Sequence, residues 1–210
     1  MSEILTPERI LEAAEEVFRR FGPQKTTVVD VARALGVSHG SVYRHFDSKI
    51  ALRDAVVERW LKRTSDPLKQ LTKTSAPAPQ RLRNWFDALL AAKRSKVSAD
   101  PELFAVSRGL FAEARDVVAA HVAGLVGQIE IIVADGVQSG EFVSANPTAS
   151  ARAIFDATAR FHDPAHMAEW ADPEIDAAFE GVFALILTAL LPPKAPIATS
   201  PEAVDSASRG

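Results

Sequence analysis

No cysteine occurs among the 210 residues, which excludes disulfides, thiol catalysis and cysteine-ligated zinc. Long apolar runs are missing too: none reaches the roughly 18 residues that a membrane-spanning helix needs, so no membrane partner is expected. The first residues, Met1 to Thr6, carry Glu3 and lack the basic-then-apolar order of an export signal, which makes the cytoplasm the expected location. There is no glycine-rich phosphate loop and no His-Glu-x-x-His pair, so neither an enzyme nor a cofactor is expected. Aromatic residues are only 7% of the chain, while alanine and leucine are frequent, and that balance favours helices over sheet.

Net charge is also scarce, at −3 for the whole chain, but it is unevenly placed. Residues 1–63 carry 11 Lys/Arg against 9 Asp/Glu, and the remainder carries 13 against 18. The N-terminal excess is small and has the sign expected of a part that meets phosphate.

What the sequence does have is a repeated helix-start device. Proline follows a short oxygen-bearing residue at Thr6-Pro7, Asp66-Pro67, Asp100-Pro101, Asn146-Pro147, Asp163-Pro164 and Asp172-Pro173. The side-chain oxygen accepts from a free backbone N–H, and proline fills the first helical position, where its missing N–H costs nothing. Six such starts predict an all-α chain. Apolar periodicity places helices over 7–21, 28–35 and 39–46, and a fourth from about residue 47. The Ser-, Thr- and Pro-rich stretch 64–79 reads as the end of the fourth helix plus a connection. Further helices are predicted over 80–96, 101–109, 112–139, 147–161, 164–170 and 173–191. The expected division is a reading head over 1–46, a connecting helix over 47–65, a larger helical domain over 66–191, and a disordered tail over 192–210, which has too few large apolar groups to order itself.

The segment from Thr26 to Lys49 meets the packing requirements of a helix-turn-helix. Ala32 is small where two helices cross, Gly36 tolerates positive φ in the turn, and Val42 points back at the first helix. The remaining residues of the second helix, Ser38, His39, Gly40, Ser41, Tyr43, Arg44 and His45, include no acid. Ser, His and Arg are hydrogen-bonding groups suited to base edges and phosphates, and Gly40 keeps the backbone slim for close approach.

This run, through Tyr43-Arg44-His45-Phe46-Asp47-Ser48-Lys49, closely resembles the DNA-binding domain of the tetracycline-repressor (TetR) family, over roughly residues 6–60. The resemblance implies that Thr27 caps the first helix of the pair and touches phosphate. It implies that Ser38, His39 and Gly40 open the recognition helix at the bases, with Ser41 beside them. It gives the Tyr43 hydroxyl and Lys49 to phosphate, Arg44 to base or backbone, and His45 to the backbone or to packing under the fourth helix. Lys25 and Arg33 are outer phosphate candidates.

The family layout further implies a homodimer through the last two long helices, a double-stranded DNA operator, and a small-molecule effector that releases DNA. Trp85, Phe86, Phe104, Phe111, Phe155 and Phe161 are candidate pocket residues, with His162 or Arg108 as polar anchor. Other readings stay open: a regulator with no small-molecule ligand, one controlled by a protein partner, or an activator. The pair His162 and His166, four apart, has the spacing of a helical metal site, but Asp163-Pro164 reads as a helix start between them, so no metal is expected.

Overall fold

The computed structural model describes residues 4–99 and 109–193, and among them every regular element is helical. The tail from 194, most of the helix expected over 101–109, and with it Phe104 and Arg108, lie outside the described residues. Helix α1 spans Pro7–Phe21, α2 Val28–Leu35, α3 His39–Tyr43 and α4 Lys49–Leu71. Helix α5 spans Ala78–Ala99, α6 Arg115–Gln138, α7 Pro147–Ala157 and α8 Ala159–His162. A 3-10 helix covers Pro164–Ala171, and α9 covers Ile175–Leu190.

Helices α1 and α2 start and stop where the sequence chemistry says, while α3 starts as expected at His39 but ends at Tyr43, short of residue 46. Thr6 accepts from the Arg9 amide ahead of Pro7, and Gly22 ends α1 at φ 77°. Helices α1 to α4 bury Ile10, Phe18, Val31, Ala32, Val42 and Val56 in one core. Arg59 reaches Glu12 at 2.9 Å and Arg63 reaches Glu15 at 2.7 Å, tying α4 to α1. This core is not self-contained: Leu110 and Ala114, from the far side of the chain, are buried in it.

Two expectations fail on α4. It does not end near residue 65, and Asp66-Pro67 does not begin a helix; the helix runs through Pro67 to Leu71. An interior proline removes one backbone hydrogen bond and crowds the carbonyl four residues back, at about 3 kcal/mol. Against that, Leu61, Thr64, Ser65 and Leu68 are all buried on one continuous face, which a break at Pro67 would split. Leu61 belongs to the first core and Leu68 to the second, so α4 is a rigid link between them.

The second core joins α5, α6, α7, α8 and α9 around Trp85, Phe86, Ile129, Phe161 and Phe179. Here α6 departs from expectation, being by length and composition apolar enough to cross a membrane. Its composition has a local cause, because Leu125, Ile129, Ile132 and Val133 pack into this core. The helix expected over 147–161 is interrupted at Thr158, whose buried hydroxyl donates back to the Ile154 and Phe155 carbonyls at 2.9 and 3.0 Å. Such back-bonding bends a helix, and it turns α8 inward.

Gly136 lies where α6 crosses the start of α5. A Cβ there would stand 2.4 Å from Phe142 Cδ2 and 2.8 Å from Ala78 Cβ, and both neighbours are buried. Gly136→Ala is therefore expected to destabilise the fold by about 1–3 kcal/mol through overpacking. Urea unfolding checks this, and an unchanged midpoint would contradict the close crossing.

Candidate nucleic-acid interface

The face of α3 is built by its neighbours. Thr27 and Asp30 form a reciprocal cap on α2: the Asp30 amide donates to the Thr27 hydroxyl, and the Thr27 amide donates to Asp30 Oδ2 at 2.9 Å. Bonds from the Thr27 hydroxyl and amide hold the Asp30 carboxyl below its ordinary value. Gly36 adopts the left-handed conformation at φ 67°, which turns the chain so that Ser38 caps α3 by accepting from the Ser41 amide at 3.2 Å. Val42 is fully buried and pins α3 to α2.

With Val42 inward, Ser38, His39, Gly40, Tyr43, Arg44 and His45 are all exposed and Ser41 half-buried. The Ser38 and Ser41 hydroxyls are 2.9 Å apart, and the Arg44 guanidinium donates to Ser41 Oγ at 3.2 Å, so serine orients arginine. His39 meets Tyr43 edge-on with centroids 6.3 Å apart. Lys49, at the start of α4, is exposed, and its Nζ donates to the Gln24 carbonyl at 3.4 Å. Of the outer candidates, Lys25 is exposed, while Arg33 pairs with Asp30 at 3.1 Å. From Ser38 to His45 the surface is an acid-free strip of hydrogen-bonding groups; exposed Asp47 follows it, and exposed Lys49 begins α4.

The residues 36–40 also spell Gly-x-Ser-x-Gly, a pattern that marks a nucleophile only on a strand-to-helix turn. Here it joins two helices, and Ser38 is engaged as a cap.

The expected pocket residues divide. Trp85, Phe86, Phe155, Phe161 and His162 are brought together, buried in the second core. The Trp85 indole donates to Gln128 Oε1 at 2.9 Å, and Gln128 donates to the Ser65 carbonyl at 3.2 Å. Phe111 does not join them, since it packs against the first core. His162 ends α8 and, as expected, precedes the helix that Asp163-Pro164 starts; it is 3% exposed, with Nε2 3.2 Å from the Phe155 carbonyl. A carbonyl only accepts, so Nε2 carries the proton. Burial pushes this histidine down to about 4. His166 is exposed and bonded to Glu169 at 2.9 Å; the two histidines share no face.

A groove of about 490 Å³ lies elsewhere, between α4 and α6, lined among others by Leu61, Ser65, Val117, His121 and Gln128. Sequence reasoning passed over His121, Lys93 and Lys96. The available signal was that both lysines continue the buried stripe of α5 at helical spacing.

An all-α chain with such a strip defines a helix-turn-helix protein. Residues 10–56 match the family model described as bacterial regulatory proteins, tetR family, and residues 78–183, half of the chain, match the model described as tetracyclin repressor-like, C-terminal domain. The chain belongs to the TetR family of transcriptional regulators. An uncharacterized HTH-type transcriptional regulator of Mycobacterium tuberculosis is 42% identical over 59 residues, 28% of this chain and 29% of that one. TtgR of Pseudomonas putida, an HTH-type transcriptional regulator, is 36% identical over 69 residues, 33% of this chain and 32% of that one. The chain thus spans about a third of the length of these curated relatives. Among solved structures, FadR of Bacillus subtilis in complex with stearoyl-CoA superposes with a TM-score of 0.62 at 20% identity, covering 88% of this chain and 99% of that one. SmeT, repressor of a Stenotrophomonas maltophilia multidrug efflux pump, gives 0.63 at 20% identity, covering 90% and 92%.

Proposed function

We propose that this protein is a cytoplasmic, sequence-specific DNA-binding repressor that works as a homodimer and is released from a pseudo-palindromic operator by a small molecule. The observation that carries the reading is the exposed, acid-free face of α3, held by a buried Val42 and oriented by the Gly36 turn. Thr27, Ser38, His39, Gly40, Ser41, Tyr43, Arg44, His45 and Lys49 are the proposed contacts. Base edges fall to the start of α3, and phosphates to Tyr43 and Lys49.

Dimerisation is supported by α9. Its outward face carries Ala177, Gly181, Ala184, Leu185 and Thr188, all exposed, with Leu185 72% open. Small residues allow a partner helix to approach closely, and one large leucine supplies an apolar knob that water would otherwise surround. Ligand control is supported by the neighbours, of which FadR is described in complex with stearoyl-CoA and SmeT in complex with triclosan. A physical route for it exists here. Leu110 and Ala114 complete the core of the reading head, and Glu113 accepts from Arg53 of α4 at 2.9 Å and from Gln24. A shift of the segment entering α6 therefore moves the reading head directly.

Selecting protein-bound fragments from the organism's own DNA tests the reading. The expected result is an enriched pseudo-palindrome bound by a dimer in light scattering. No enrichment, or a monomer on a single half-site, would overturn it.

A further inference from the structure

On α3 the buried side chain of Val42 fixes which residues point away from the protein. At about 100° per residue, the positions two before and two after it stand roughly 160° round the helix. These are Gly40 and Arg44. The helical path holds as far as Arg44: its φ and ψ are −67° and −19°, and its amide donates to the Gly40 carbonyl one turn earlier at 3.3 Å. The ridge farthest from the core is therefore a bare glycine followed by an arginine, with His39 and Tyr43 on one flank and Ser41 on the other.

Helical side chains lean toward the N-terminus, over the residues three and four positions back. Arg44 does so: Nη2 donates to Ser41 Oγ at 3.2 Å, and Ser41 Oγ lies 2.9 Å from Ser38 Oγ. The guanidinium is thereby brought back over the start of α3, and Gly40 leaves room for it. A Cβ built on Gly40 would approach no side chain beyond its two neighbours more closely than Ser38 Oγ at 3.9 Å, so the backbone beneath the arginine is open to a base edge. The charge is open as well. On α1, α2 and α4, Arg19, Arg33, Arg53, Arg59 and Arg63 each pair with a carboxylate, whereas Arg44 makes no ion pair with any described residue. Its bond to a neutral hydroxyl leaves most of the guanidinium donors free.

We propose that Arg44 reads a guanine in each operator half-site, with Ser41 as its positioning residue. The inference rests on the DNA-reading role of α3 and names the base that one of its side chains selects. A helix seated in the major groove turns its outermost ridge to the base edges and its flanks to the two strands. The guanidinium fork has donors only, and guanine offers it two adjacent acceptors there, O6 and N7. Adenine sets an amino donor beside its N7, cytosine presents an amino donor, and thymine offers a single acceptor. Because Ser41 is neutral, it holds the guanidinium without cancelling its charge, and the pair with guanine keeps its charge-assisted strength.

Selection of bound duplexes from a random library by the full-length protein, followed by anisotropy on the selected site, tests this. The wild type is expected to enrich a guanine at one position of each half-site. Replacing that guanine by 7-deazaguanine, which lacks the N7 acceptor, should weaken binding about ten-fold per half-site. Arg44→Ala should bind the two duplexes equally and lose the guanine preference, while the other enriched positions stay. Arg44→Lys, which keeps the charge but not the fork, should lose most of the preference and retain non-specific affinity. Ser41→Ala should weaken the preference several-fold, and Ser41→Thr, which keeps the hydroxyl, should restore it; a merely structural serine would change affinity for all sequences alike. An undiminished preference in Ser41→Ala would overturn the positioning role. A guanine preference that survives Arg44→Ala would overturn the proposal. So would a loss shared by all sequences that flattens the salt slope by about one, which would make Arg44 a phosphate contact. In either case a selected pseudo-palindrome would leave the DNA-reading role of α3 standing. No enriched sequence with the wild type would remove that role and this inference together.

Discussion

Replacing His39 and Tyr43 together by alanine is expected to lower operator affinity about a hundred-fold, two lost contacts to polar or charged partners at about 1.4 kcal/mol each. Fluorescence anisotropy on the selected fragment measures it. The fold should not change. Both side chains are exposed, and their contact is an edge-on ring pair 6.3 Å apart, while Val42, which holds α3 in place, is untouched. Substitutions at such surface positions usually alter stability by less than about 0.5 kcal/mol. Lys49→Ala provides the contrast. Its Nζ holds one weak bond to the Gln24 carbonyl, so its loss should weaken specific and non-specific DNA alike and flatten the slope of log affinity against log salt by about one. Wild-type affinity in the double variant would show that α3 is not the reading helix. A Lys49→Ala effect confined to one base position would reassign that lysine from phosphate to base.

The reading head was legible in the sequence because each of its constraints is local. Ala32, Gly36 and Val42 are set by the crossing of two adjacent helices, and the caps by residues within four positions. The same locality explains the misreading of Asp66-Pro67. As a dipeptide it has the chemistry of a helix start, and what overrides it is the burial of Leu61, Thr64, Ser65 and Leu68 against α5 and α6, which no short window shows. Thr158 is similar: its neighbours continue the helical pattern, and only its burial commits the hydroxyl to the Ile154 and Phe155 carbonyls. The candidate pocket was less legible for another reason. Aromatic residues were the obvious lining for a pocket, yet Trp85, Phe86 and Phe161 have the volume and shape to fill a core, and they do. Lys93 and Lys96 continue the α5 stripe at helical spacing, and nothing local in the sequence marks them out. Their meaning depends on which helix stands opposite, and that is decided by the long-range packing of α4 and α6 on α5.

Lowering the pH from 6.5 to 5 is expected to cost the fold about 2 kcal/mol through His162 alone. Burial holds this imidazole at about 4, with the Lys93 charge pushing the same way and the Phe155 carbonyl, Asp163 and Asp156 opposing. In the unfolded chain a histidine takes up its proton near 6.5. Below that value the unfolded state gains a proton that the folded state refuses, so the stability contributed by neutral His162 is present above 6.5 and is lost as the pH falls toward 4. His121, also at about 4, adds in the same direction. The carboxylates held low by their bonds, Asp30, Glu169 and Glu180, lose their contribution only as the pH falls below the unfolded carboxylate values near 4, below the window from 6.5 to 5. Urea unfolding at intervals across it should give a wild-type free energy that falls steadily. His162→Gln, although less stable at pH 7.5 for loss of ring packing on Phe155, should fall by about 2 kcal/mol less over the same window. Parallel curves for the two proteins would mean that His162 protonates equally well folded and unfolded, and that α8 does not hold it in the dry interior where the structure places it.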